Sequence, residues 1–308
     1  MIIPLLWLTL SNVCVCAMSL FRKQYEKVNG TKLVSVLLFL CVSSAFICVG
    51  AFAVLGARIT FNGLSFLLAF GLSCVSILGA VTSLVGLQYG NMSILMIFAR
   101  MGGIVLSCLY GLLFDPMKNT LSVWKIVGFV FVAIILALSF VYEKKEVDEI
   151  ETKSRKKQSI FAFLCILIFF NGLALPMMSI QTRFNPEYKA LDFTVLYIFF
   201  QFLISLLAFV CMYVLTKNKR EINRELKCCV KWKGIWCVLA YAVVCFISEY
   251  LALICTDTLP IIVQAPLSFT LSVVLIALMD FLIYRERLTK KQLLQIGLSI
   301  LTSICFVL

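Results

Sequence analysis

An all-α polytopic membrane protein is predicted from three observations: the composition, the length of the apolar runs, and where the basic residues fall. Of 308 residues, 62% are hydrophobic and 14% charged, and the mean hydropathy is +1.05. So little charge cannot coat a water-soluble globule of this size. A bilayer core about 30 Å thick is crossed by about 20 apolar residues in a helix, whereas barrel strands are about ten residues long and alternate in polarity. The runs here are long and continuous, so helices, which satisfy their backbone polar groups internally, are expected.

Ten candidate spans follow in order. Ile2 to Phe21 has no basic residue before it and no small-residue cleavage site leading into a polar domain, so a retained helix is expected rather than a signal peptide. Leu33 to Ala57 and Leu64 to Leu87 are near-continuous apolar runs, and Met92 to Phe114 differs in carrying Arg100. Leu121 to Tyr142 ends at the mixed Lys and Glu stretch Glu143 to Gln158, which reads as a cytoplasmic linker. Ser159 to Ile180 and Phe193 to Leu215 come next, then Ile235 to Cys255 with Glu249 inside it. Leu259 to Tyr284 opens beside Pro260, and Gln292 to Leu308 is short enough that it sits with little tilt or reaches only the interface.

A net charge of +12 would suit a nucleic-acid partner, but the distribution argues against one. Numbering loops by the spans they join, the first holds Arg22, Lys23, Lys27 and Lys32, and the fifth Lys144, Lys145, Lys153, Arg155, Lys156 and Lys157. The seventh holds Lys217, Lys219, Arg220, Arg224, Lys227, Lys231 and Lys233, and the ninth Arg285, Arg287, Lys290 and Lys291. These are 21 of the 27 Lys and Arg; the even loops and the residues beside them hold only Arg58, Lys118, Lys125, Arg183 and Lys189, and Arg100 is inside a span. Cytoplasmic loops carry the basic excess, so the odd loops are expected in the cytoplasm and both termini outside the cell membrane. The basic runs are expected to touch anionic lipid, not nucleic acid.

The 14 cysteines carry little pattern. Cys14 and Cys16 lie two apart on one helix and face different sides, and Cys228-Cys229 falls in a basic loop. With no His and no paired CxxC, neither a metal site nor a cofactor is expected.

Ten spans can be two fives. Asn12 precedes Arg22 by ten residues as Asn171 precedes Gln181. Gly111-Leu-Leu-Phe-Asp-Pro-Met-Lys118 followed by Lys125-Ile-Val-Gly128 parallels Phe281-Leu-Ile-Tyr-Arg-Glu-Arg-Leu-Thr289 followed by Leu294-Gln-Ile-Gly297. Because five is odd, tandem units would be inverted relative to one another, residues 1–142 and 159–308 around the linker 143–158.

The stretch from Ser268 to Leu308, above all Glu286-Arg-Leu-Thr289 with Gly297 after it, resembles the end of an EamA repeat of the drug/metabolite transporter superfamily. Tyr89-Gly-Asn-Met-Ser93 and Gly111 to Phe114 are similar in the first half, which departs at Asp115-Pro116, where a glutamate is the pattern. The resemblance spans essentially the whole chain. It implies ten helices in two inverted repeats, and transport of small metabolites or drugs by alternating access. Relatives of that kind often keep their termini in the cytoplasm; the loop charges of this chain argue the reverse.

Two charges lie deep in the spans, where each is costly, about 2.5–3.5 kcal/mol on insertion scales. Counting along the helices, Arg100 sits about 13 Å from the cytoplasmic end and Glu249 about 12 Å from the outer end, hence about 5 Å apart in depth in a core of about 30 Å. Both are expected to line a central cavity, Arg100 meeting an anionic group and Glu249 a cationic group or a proton, which would suit a zwitterionic, amino-acid-like or carboxylate-bearing substrate. The competing expectation is that they pair to lock helices together. Asp280, Lys125 and Asp192 lie near span ends and can snorkel.

Asn12, Asn171, Tyr197, Gln201, Tyr241 and Gln264 are the neutral polar candidates for substrate binding, although such residues also join helices by hydrogen bonds. Pro176, Pro260 and Pro266 can break helices near a cavity, and Gly71, Gly79, Gly86, Gly102 and Gly103 permit close crossings. Without a G-x-x-x-x-G-K-[ST] loop or a soluble domain, nucleotide-driven pumping is not expected. A proton or substrate gradient would drive secondary transport. An enzyme is not expected, since there is no His and the acids are isolated, and a scaffold or assembly subunit would spend more sequence on loops.

Overall fold

In the computed structural model, residues 2–29, 33–53, 62–89, 92–114, 122–147, 155–215, 232–283 and 290–307 are described, nearly all as helix. The helices are α1 (Ile2–Asn29), α2 (Leu33–Ala53), α3 (Gly63–Tyr89), α4 (Met92–Phe114), α5 (Val123–Val147) and α6 (Arg155–Phe169). A 3₁₀ turn, Phe170–Leu173, leads into α7 (Ala174–Phe184), followed by α8 (Ala190–Leu215), α9 (Trp232–Thr258), α10 (Ile261–Ile283) and α11 (Lys290–Val307). Among the described residues, six helical stretches are long and apolar enough to cross a membrane: Ile3–Arg22, Val34–Ala53, Gly63–Thr82, Ala162–Phe184, Ala190–Val214 and Gly234–Thr258. Four shorter apolar helices, Gly102–Phe114, Val123–Ile135, Ile261–Ser272 and Ile296–Phe306, accompany them.

The surface is what a hydrocarbon solvent selects. Val123, Leu113, Val214 and Leu67 are 75%, 71%, 70% and 68% exposed, while Ser65, Ser73, Ser205, Thr270 and Thr302 are fully buried. Water would favour the opposite arrangement; lipid tails impose no penalty on exposed Leu and Val, and polar groups move inward to find partners. The chain is an all-α membrane protein.

Helix ends run past the apolar runs. α1 continues through Arg22, Lys23 and Lys27, and α5 through Lys144 and Lys145. Lys, Arg and Glu are good helix formers, so a helix leaving the apolar layer keeps its hydrogen-bond ladder. The rest of the first basic loop, the seventh loop with Cys228-Cys229, the turn Glu286 to Thr289 and Asp115-Pro116 lie outside the described residues.

The segment expected as one helix, Ser159 to Ile180, is broken at the 3₁₀ turn. Pro176 has no N–H to donate to the Gly172 carbonyl one turn back, and its ring crowds that carbonyl, so the preceding turn tightens. Within the turn the Ala174 N–H bonds to the Asn171 carbonyl. Pro266, by contrast, stands inside α10, which continues through it.

Packing joins elements far apart in sequence. α1 runs along α9 and touches α10; α6, the turn and α7 lie along α3 and α4; α2 crosses α8; α4 meets α10; and α5 meets α11. The closest crossing is at Gly102 and Gly172, where a Cβ on Gly102 would stand 1.9 Å from the Phe169 carbonyl oxygen and one on Gly172 2.1 Å from the Gly102 carbonyl carbon. Two apolar clusters result. One gathers Leu68, Leu72, Met178, Leu196 and Tyr197, the other Leu8, Ile104, Ile135, Ile262 and Phe306.

Candidate functional site

Between the two clusters lies a cavity of about 380 Å³, bounded by α1, α4, the broken segment, α9 and α10. Helical periodicity explains how each element reaches it. α1 contributes Leu8, Ser11, Asn12 and Val15, and the broken segment Asn171, Ala174, Leu175 and Met178, both at i, i+3, i+4, i+7 spacing. α10 presents Gln264, Ser268 and Ser272 four residues apart, and α9 presents Ser248, Glu249 and Ala252. Gly103 and Ile104 form the α4 wall. No Cβ on Gly103 would meet any atom within 4 Å.

Several of these polar groups already serve one another. Ser11 Oγ donates to the Ser248 carbonyl at 3.1 Å, and Ser248 Oγ donates back to the Ser11 carbonyl at 3.3 Å, clasping α1 to α9. Asn12 Nδ2 donates to the Leu8 carbonyl at 2.8 Å, while its Oδ1 accepts from Ser272 Oγ at 2.9 Å. The same Ser272 hydroxyl lies 2.7 Å from the Ser268 carbonyl, so one proton serves two acceptors.

Others are left open. Gln264 Nε2 donates to the Ala252 carbonyl and to Thr256 Oγ1, both at 3.2 Å, and Thr256 spends its own proton on the Ala252 carbonyl. The amide orientation is thereby fixed, with Oε1 buried and without a hydrogen-bond partner. Among the described residues the Glu249 carboxylate and the Asn171 amide likewise have no hydrogen-bond or ion-pair partner. Asn171 lies flat against α3, where a Cβ on Gly79 would stand 2.7 Å from its Oδ1.

The cavity therefore brings together Asn12, Asn171, Glu249 and Gln264, four of the candidates named from sequence. Tyr197 and Tyr241 lie in the packing beside it. The Tyr197 hydroxyl bonds Ser76 Oγ at 2.9 Å and its carbonyl accepts from Ser73 Oγ; Tyr241 packs edge-on to Phe39 with centroids 4.5 Å apart. Gln201 is buried and does not line the cavity. The backbone of Arg100 belongs to α4, three residues before Gly103, but its side chain lies outside the described residues.

Ser11, Ser248, Ser268 and Ser272 line the cavity without having been named from sequence. For Ser268 and Ser272 the signal is their spacing of four residues from Gln264 along a largely apolar helix. Beyond this cavity, Asn62 and Asn185 exchange amide hydrogen bonds at 3.1 and 2.9 Å, and Ser65 Oγ donates to Gln181 Oε1 at 3.0 Å, tying the start of α3 to the end of α7.

The fold is similar to that of a solved structure described only as "Crystal structure of protein", with a TM-score of 0.69 and 11% identity over 97% of this chain and 94% of that one. In all, 26 chains of solved structures match. No family model and no curated protein matches the sequence. At this identity the likeness shows the fold alone.

Proposed function

We propose that the chain is a secondary transporter that moves a small metabolite or drug-like molecule by alternating access. The reading rests on a cavity whose Glu249 carboxylate has no partner among the described residues, walled by elements from both halves of the chain. Within it the chain has ten spans, α6, the turn and α7 counting as one, in two inverted five-helix repeats, 1–142 and 159–308. The packing supports this: exchanging each span with the one five places on turns α1 against α9 into the broken segment against α3, and α1 against α10 into the broken segment against α4. The pairs α2 with α8, α4 with α10 and α5 with α11 map onto themselves. Transporters built from inverted repeats bind substrate where the repeats meet. Asn12 and Asn171, at matching places in the two halves, both line this cavity. The EamA resemblance of the sequence agrees with the same reading, as do the basic loops, which support cytoplasmic odd loops and outer termini.

The test is uptake by the purified chain in proteoliposomes loaded against a small-metabolite mixture and read by mass spectrometry. Solute should accumulate or exchange with the wild type. Filling the open space with Gly103→Leu should abolish it while the variant still assembles and unfolds at the wild-type temperature. Unchanged transport in that variant would sink the cavity as the pathway. Collapsing the proton gradient asks separately whether Glu249 couples protons to movement.

A further inference from the structure

The hydrogen-bonding balance of the cavity is uneven, and it selects a ligand. The protons of Ser11, Ser248, Ser272 and Thr256 are spent on protein acceptors, as is one Nδ2 proton of Asn12. Both Gln264 Nε2 protons have acceptors as well. What remains is mostly acceptors, the two Glu249 oxygens and the buried Gln264 Oε1, against the second Asn12 Nδ2 proton, with the Asn171 amide and the Ser268 hydroxyl able to act either way. Among the described residues lining the cavity, Glu249 alone carries a charge. The remaining walls, including Leu8, Val15, Ile104, Leu175, Met178 and Phe269, are apolar.

We propose that this site takes an organic cation bearing N–H donors, an amine or guanidine on a compact apolar body. The assignment rests on the transporter reading for its biological use and supplies the substrate class that reading leaves open. The cationic head meets the Glu249 carboxylate, and an N–H of the same head reaches Gln264 Oε1, which no protein group satisfies. A buried acceptor left unpaired discriminates strongly, because a ligand lacking the donor leaves it unpaired still. The apolar body lies against Ile104, Leu175 and Phe269. A cavity of about 380 Å³ suits a small ligand, near the lower end of the roughly 300–1,000 Å³ of small-molecule sites. An added carboxylate on the ligand would meet no described cation in this lining.

The experiment uses the full chain in detergent and in proteoliposomes with four probes of one skeleton: 2-phenylethylamine, its N,N,N-trimethyl analogue, 3-phenylpropanoate and phenylalanine. Equilibrium binding should rank the primary amine first, with the trimethyl analogue weaker because it has no N–H for Gln264. Glu249→Gln should weaken the primary amine about 10- to 100-fold, the loss expected for a hydrogen bond to a charged group. Gln264→Leu should weaken it about 3- to 10-fold and the trimethyl analogue by less than about 2-fold. The wild-type ranking stands as a test even if either variant fails to fold. Preferred binding of phenylalanine or 3-phenylpropanoate would overturn the amine assignment and leave the transporter reading standing. Binding of none of the four by a chain that carries other solutes would also overturn the assignment alone; failure to carry any solute would overturn both.

Discussion

Three glycines around the cavity illustrate how one residue type serves opposite needs. At Gly102 and Gly172 a methyl group would sit inside the van der Waals envelope of rigid backbone, 1.9 Å from the Phe169 carbonyl oxygen and 2.1 Å from the Gly102 carbonyl carbon. Neither neighbour is a flexible side-chain end that can move aside, so either substitution must push α4 from the 3₁₀ turn. Gly102→Ala is expected to destabilise by about 1–3 kcal/mol, the scale of overpacking a well-packed contact, and to lower the thermal midpoint measured in detergent. Gly103→Ala, one residue on, meets nothing within 4 Å and should leave the midpoint unchanged. Helix propensity favours Ala over Gly at both positions, so equal loss in both variants would show that the close approach at Gly102 is not what governs this site. The polar candidates carry a related lesson. Asn12, Gln264, Tyr197 and Gln201 give the same signal in sequence, a polar side chain in an apolar run, yet the first two line the cavity and Tyr197 is satisfied by Ser76 in the packing. The difference lies in the rotational phase of each helix against its neighbours. A single sequence does not state that phase, except where a stripe such as Gln264, Ser268 and Ser272 betrays it.

Among the elements, the broken sixth segment and the start of α3 are coupled. Asn62 caps α3, its Oδ1 accepting from the Leu64 and Ser65 N–H groups at 3.1 and 3.2 Å, while its amide pairs with Asn185 just past the end of α7. One side chain thus fixes a helix terminus and holds it to the segment that carries Asn171 into the cavity. Asn62→Ala is expected to lose the cap, about 1 kcal/mol, together with the amide pair. Asn62→Asp retains acceptors for the two N–H groups and for the Asn185 amide but cannot donate to Asn185 Oδ1, so it should recover the cap and one of the two amide hydrogen bonds. A double-mutant cycle with Asn185→Ala, read by chemical or thermal unfolding, separates the two contributions; additive losses would mean that the amide pair carries no coupling. The existence of most helices was legible because apolar runs end where charges or turn residues begin. For the break at Phe170–Leu173 the sequence offers Pro176 as a residue able to break a helix, but not whether it does so in a bundle. Pro266 is the contrast, standing in a helix that continues through it. What differs at Pro176 is the backbone of α4 pressing on Gly172, a contact between residues seventy apart that no local pattern encodes.

Over the whole molecule, the proposed orientation rests on charge rather than packing. Basic side chains near span ends are retained on the cytoplasmic side, and 21 of the 27 Lys and Arg fall in the four odd loops that contain any. In the proposed inverted repeat of five spans the two halves would enter the membrane from opposite sides, so a single reporter in the second half would fix the orientation of both. Cys228 is suited to this, lying with Cys229 in the strongly basic stretch between α8 and α9. Most of the described cysteines are buried, and a polar, membrane-impermeant maleimide does not reach thiols facing lipid, so background labelling is low. Labelling is expected in vesicles whose cytoplasmic face points outward and not in vesicles of the opposite sidedness. It should disappear when Cys228 and Cys229 are both changed to Ser. Labelling confined to the opposite vesicles would reverse the assignment and put the termini inside, the arrangement the EamA resemblance by itself would favour. Labelling from both sides at equal rates would mean that the chain inserts in two orientations, and the basic excess of the odd loops would then not suffice to set topology.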